Sequence, residues 1–160
     1  MAATFEWSES NLVGEVVVDD IANLNMGDID DHELVVATYP VVAGENAYEK
    51  YIRAKFSDAF TEISNMKFWK SNGSYKTGED IKAAENVAYA TPVKTTSIVA
   101  TVTIPTSEGY PALHIHSAAG TDIITAPGYT KYICIQLQTS GSTPAGALNT
   151  KTYTFQYDEV

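Results

Sequence analysis

From Tyr48 onward, apolar and polar residues alternate with a period of two, the pattern of strands that bury one face. In residues 48–56, Tyr48, Ile52, Ala54 and Phe56 share one face. Glu49, Tyr51, Arg53 and Lys55 share the other, which this pattern reads as mostly solvated. A helix over 47–63 is the competing reading, but the stretch from Phe56 to Phe60 fits a bend better than a helical stripe. Residues 65–70 then run into Ser71-Asn72-Gly73-Ser74, and Asn-Gly between extended runs predicts a hairpin whose return strand starts at Tyr75. A further turn is expected over 76–80, with short elements at 81–84 and 87–90.

Residues 98–104 alternate well and are predicted as a strand. Pro105 ends it, because proline has no N–H for the ladder. Residues 112–116 alternate too. Residues 132–138 place Ile133, Ile135 and Leu137 on one face, and their expected partner is 152–157, with Tyr153, Phe155 and Tyr157 on one face. The link between them, 139–150, is rich in Ser, Gly, Thr and Ala and is expected at the surface. In the first forty-odd residues, 12–18 and 33–38 read as strands split by an acidic stretch.

With Thr, Val, Ile and Tyr abundant, turn signals every 8–12 residues or so, and no strand–helix alternation, the expected class is all-β. The expected architecture is an antiparallel β-sandwich, immunoglobulin-like or jelly-roll, with an acidic N-terminal arm or extra strands. The chain divides into 1–42, an acidic segment forming an arm or strands that join the sheet, and 43–160, the sandwich body. At 160 residues and 44% hydrophobic composition, there is material for one real core.

Charge sharpens that division. Residues 1–49 hold eleven acidic residues and no Lys or Arg, whereas the remainder holds nine acidic and ten basic residues, giving the net −10. Without a base in their own segment, Asp19, Asp20, Asp28, Asp30 and Asp31 are expected to face water, a cation or a basic partner, and they are the candidate partner-binding residues. If the segment is an arm, removing 1–31 leaves a folded body. So acidic a chain repels phosphate backbones, which argues against nucleic acid. No apolar run reaches the ~18 residues of a membrane span, and the N-terminus lacks the pattern of a secretory signal. The expectation is a chain made in a cytoplasm. Cys134, the single cysteine, rules out an internal disulfide and reads as a small filler.

Candidate chemistry is sparse. His114 and His116 stand on one face of a strand about 7 Å apart, a spacing that zinc or nickel could bridge with a third ligand. The plainer reading is two polar residues on a solvent face, so they are weak metal candidates and no cofactor is expected. The run from Asp28 to Glu33 invites calcium but lacks the glycine and terminal glutamate of an EF-hand loop. No phosphate-binding glycine loop, GxSxG or HExxH is present, and no nucleophile–base pair stands out, so no enzyme is expected. Trp69, Tyr75, Tyr110, Tyr129 and Tyr132 could stack on sugars, but aromatics on a sandwich also serve core and interfaces.

Several stretches together carry a likeness. They are Gly44-Glu45-Asn46, Lys50 to Phe56, Ile63 to Trp69, Tyr89-Ala90-Thr91-Pro92-Val93, Ile104-Pro105-Thr106-Ser107, and the ending that includes Gln136-Leu137-Gln138 and Tyr153 to Glu159. Over most of 25–160 the chain resembles small β-rich virion structural proteins of tailed bacteriophages. The resemblance implies a non-enzymatic decoration or cement protein that binds the major capsid protein on the outer shell. It also implies a homo-oligomer, with a trimer favoured, made in the host cytoplasm and carried on the virion. A tail or head–tail component and a carbohydrate-binding surface module are the alternatives.

Overall fold

A computed structural model of the protein describes residues 2–108, 113–114 and 123–160. Every helix or strand among them is a strand. In chain order these are β1 (Thr4–Asn11), β2 (Val16–Asp19), β3 (Lys50–Ser57), β4 (Ile63–Asn72) and β5 (Glu79–Val87), then β6 (Val102–Thr103), β7 (Leu113–His114), β8 (Gly128–Tyr129), β9 (Tyr132–Thr139) and β10 (Thr152–Glu159). All pairings are antiparallel. One sheet runs β2-β1-β3-β9-β5-β6, with β8 also against β3; the other runs β10-β4-β7. The two pack as a sandwich, so the all-β expectation holds.

The core lies where their inner faces meet. Phe5 and Trp7 of β1 and Phe56 of β3 project from the large sheet toward Phe68 of β4 and Phe155 of β10. Phe5 stacks on Phe155 at 5.1 Å, and Trp7 sits edge-on to Phe68 at 5.4 Å. Ile52, Ile81, Ile133 and Ile135 complete the large-sheet side, each almost wholly buried. Period two explains this layer: Phe5 and Trp7 of β1, Ile52, Ala54 and Phe56 of β3, and Ile133, Ile135 and Leu137 of β9 fall on alternate positions, so each strand turns an apolar run toward the core.

Several expected pairings are different. The run through Asn72-Gly73 is not a hairpin, because β4 and β5 belong to different sheets and 73–78 crosses between them. Gly73 is needed for another reason. Its φ is +91°, and a Cβ there would run into the Thr150 carbonyl oxygen. Residues 132–138 and 152–157 do not pair either; β9 lies between β3 and β5, while β10 pairs with β4. Both strands are apolar on one face, and alternation cannot say whether two such faces share a sheet or oppose each other across a core. The element at 81–84 belongs to a longer strand, β5, which runs on through a bulge where Asn86 takes a φ of +57° and ends at Val87, so 88–90 is not strand. Only Val102–Thr103 of 98–104 is strand, and 33–38 forms turns around a buried Leu34.

The face of β3 read as solvated is covered. Tyr51 is fully buried beside Tyr132, Cys134 and Ala100, under the segment 87–100. From residue 88 on, that segment forms no ladder and is held down by side chains, Glu49 accepting the Val93 N–H (3.3 Å) and Gln136 making the most bonds. Gln136 accepts the Ser97 N–H (2.9 Å) and donates to the carbonyls of Thr95 (2.8 Å) and Ala47 (3.1 Å). A buried amide thereby supplies partners that backbone groups under a loop require.

The N-terminal third enters the sheet rather than hanging from it. β1 pairs with β3 from Thr4↔Ser57 to Ser10↔Tyr51, and β2 folds back on β1 as a hairpin. The tight connection, 12–15, uses positive φ at Leu12, Gly14 and Glu15.

Candidate interaction surface

Six of the eleven acidic residues of the first third meet a Lys or Arg that arrives later in the chain. Glu6 of β1 lies directly across from Lys55 of β3, and their charges meet at 2.5 Å; Asp19 reaches the same ammonium at 2.8 Å. Glu15 lies 3.7 Å from Arg53, and Lys94 bridges Asp28 and Glu45. Of the expected partners, water, a cation or a base, Asp19 and Asp28 meet a base of the chain itself, Lys55 of β3 and Lys94.

The five candidate residues divide accordingly. Asp19 accepts from Lys55, Ser8 Oγ (2.5 Å) and Tyr129 OH (3.0 Å). Burial works to raise its pKa, but those hydrogen bonds together outweigh it and hold the carboxyl below its usual value. Asp28 is taken by Lys94, whose own pKa is pushed up to about 12 by Asp28 and then Glu45. Asp30 accepts the Leu12 N–H at 2.7 Å, and burial raises its pKa. Asp31 accepts the Glu33 N–H at 2.9 Å and lies 3.5 Å from His32. Asp20 alone of the five is exposed. Donors of the chain itself meet the carboxylates of Asp28, Asp30 and Asp31, in place of the oxygen cage that calcium requires.

One pair is wholly internal. Lys50 is 0% exposed, and its ammonium meets Glu9 at 2.6 Å and the Asp31 carbonyl at 2.8 Å. Burial raises the pKa of Glu9 against the opposing pull of Lys50. The sequence held a signal for it, since Lys50 falls in phase with Ile52, Ala54 and Phe56, and Glu9 in phase with Phe5 and Trp7.

The aromatic candidates do not assemble into a platform. Trp69 and Tyr132 are buried and Tyr75 is half-buried. Tyr129 is exposed, but the Arg53 guanidinium covers one ring face at 4.0 Å and lies 4.5 Å from Tyr132. Tyr110 and His116 lie outside the described residues. His114 pairs through its backbone with Lys67. Among the described residues no three His, Cys, Asp or Glu side chains gather in a way that could hold a metal. Cys134 is fully buried, and burial followed by Glu49 pushes its thiol up to about 12, which makes it an inert filler.

What the surface does offer is apolar. Val13 at the β1–β2 tip is 84% exposed, and Leu12, Val16 and Val17 are also open to solvent. Val16 and Val17 belong to β2, the outermost strand of the large sheet, whose far side pairs with no described strand. Natural edges are commonly guarded by Lys, Pro or an outward charge. β2 reads Val-Val-Val-Asp, and its one charge is already engaged by Lys55.

Comparison with protein-family models, with curated proteins and with solved structures finds no match to this chain.

Proposed function

We propose that this chain is a non-enzymatic structural protein of a tailed-phage virion that decorates the outer shell and stabilises it by binding the major capsid protein. The observation that carries the reading is the β1–β2 hairpin: an unguarded edge strand with exposed Val16 and Val17, ending in an apolar tip at Leu12 and Val13. Such an edge accepts an added strand through main-chain hydrogen bonds, and flanking apolar side chains give the added strand a register. The resemblance to β-rich virion proteins points the same way. The intramolecular charge pairing also fits, because it leaves the hairpin as an apolar contact rather than an acidic one.

The test is reconstitution. Purified chain mixed with mature shells that lack it should bind saturably and raise the temperature at which they rupture. Val17→Lys puts a gatekeeper charge on the edge; it should abolish binding while the isolated protein melts as before. Absence of the chain from purified particles, or shell binding unaffected by Val17→Lys, would overturn the assignment. Density at the vertex or tail in a particle reconstruction would move the protein to the head–tail or tail class.

A further inference from the structure

Between the sheets, where β10 begins, lies a cavity of about 880 Å³ open to solvent. Its floor is the inner face of the large sheet, at Ile52, Ile81 and Leu137, with Phe68 from the small sheet. The walls are the two segments 21–26 and 36–41 on one side and 146–153 on the other. Among the described residues the small sheet has three strands against seven in the large one, so part of that inner face is covered by loops. About half of the apolar side chains left half-buried at the core margin gather here, among them Trp7, Leu24, Met26, Val41, Leu148 and Tyr153. Protein interiors close-pack, and an apolar space of this size falls within the ~300–1,000 Å³ range of small-molecule sites.

The electrostatics of the wall choose the ligand. Two ionic groups line it, Glu79 and Lys151, and they neutralise each other at 2.7 Å. Glu79 also accepts the Lys76 N–H (2.8 Å), and Lys151 also donates to the Asn149 carbonyl (2.7 Å). Neither has charge to offer a guest, and a charged guest would lose its hydration without recovering it. From the size, the lining and this internal neutralisation, we infer that the cavity binds one uncharged, predominantly apolar small molecule. The inference stands apart from the shell-binding hairpin, since no residue of the hairpin tip lines the cavity.

N-phenyl-1-naphthylamine, an uncharged apolar fluorophore, tests it on the intact chain. Its emission should rise saturably to one molecule per chain, with energy transfer from Trp7 and Trp69 that Trp7→Phe lowers. Decanol should displace it, whereas decanoate and decylammonium should do so at least about tenfold less well. Leu148→Trp and Ala22→Trp, which fill the cavity from opposite walls, should each weaken binding by about tenfold, and Val13→Ser at the hairpin tip should leave it unchanged. Non-saturable binding, equal displacement by the charged chains, or indifference to both tryptophans would overturn the proposal. Loss of the fluorophore as the protein is concentrated into dimers would show that a second copy is the occupant, which also overturns it.

Discussion

Lys50→Met is the sharpest single perturbation the structure offers. The substitution keeps an unbranched side chain of similar length and removes the ammonium that meets Glu9 at 2.6 Å and the Asp31 carbonyl at 2.8 Å. Glu9, 1% exposed, is then left in the core without its cation, and the half-buried Asp31 carbonyl loses a donor. Breaking a buried pair from one side costs about 3–5 kcal/mol. A domain of this size is worth only about 5–15 kcal/mol in total. For a chain of 160 residues the lower bound of 3 kcal/mol corresponds to a fall of roughly 6–12 °C in melting temperature. Adding Glu9→Leu removes the stranded carboxylate and leaves the Asp31 carbonyl as the main unmet group. The double variant should therefore return to within about 2 kcal/mol of the parent.

Urea denaturation of the parent, both single variants and the double variant measures this coupling, and pH supplies an independent check. Burial places the folded pKa of Glu9 above its unfolded value, so the native state keeps the proton longer and its stability falls as pH rises through that window. Losing Lys50 widens the window upward. The Lys50→Met defect should be largest near neutrality and shrink below the usual carboxylate pKa of 4.5, where Glu9 is protonated in both states. A cost under about 1 kcal/mol, or a double variant no better than the single, would refute the reasoning.

Deleting residues 1–20 should unfold the protein rather than trim it, because β1 lies between β2 and β3 and carries Phe5 and Trp7 into the core; a dispersed amide NMR spectrum from the truncated chain would contradict this. Phe155→Ala should cost about 2–4 kcal/mol in denaturant unfolding, toward the lower end because the ring is only half-buried although it stacks on Phe5 and meets Trp7 edge-on. A near-neutral result would place the ring outside the core. Native protein should resist thiol labelling at pH 8 and yield one reactive thiol in guanidinium, since Cys134 is buried with its pKa pushed up to about 12; rapid native labelling would show that the 87–100 cover opens. Acid should loosen the outer β1–β2–β3 charge cluster. Asp19 has a depressed pKa and contributes stability above its unfolded value of 3.8 that is lost as pH falls through the folded one. Asp19→Asn should flatten that part of the acid unfolding profile.

Alternation revealed strands where one face is oily and the other wet. Alternation puts Tyr51, in phase with Arg53 and Lys55, on a wet face, yet an irregular cover lies over it and leaves no period to detect. The pairing of β4 with β10, across some eighty intervening residues, was equally hidden, because strand order depends on which oily faces meet and not on their spacing. β1 lies in the segment that the charge count marks as an arm or extra strands, although Phe5 and Trp7 alternate within it. Its charges misled for a physical reason: segment totals count carboxylates but not the bases that a distant strand delivers, as Lys55 does to Glu6 and Asp19. The apolar tip at Leu12 and Val13 was in view as part of a strand; its exposure follows from the hairpin turn, which needs the fold to define it.

The stacking of Phe5 on Phe155 has a kinetic consequence. The first and last strands lie on opposite sides of one core, and Ala3 donates a hydrogen bond to Glu159 at 2.7 Å. No N-terminal fragment ending before β10 can close the small sheet, so early intermediates gain little from partial structure. Loop-closure entropy must be met before these distant contacts form, which places folding among the slow, all-or-none β topologies, on the order of milliseconds to seconds. Until the final strand docks, the aromatic layer is open to other chains. Yield of the folded protein should then depend on concentration during refolding far more than on the stability of the finished sandwich.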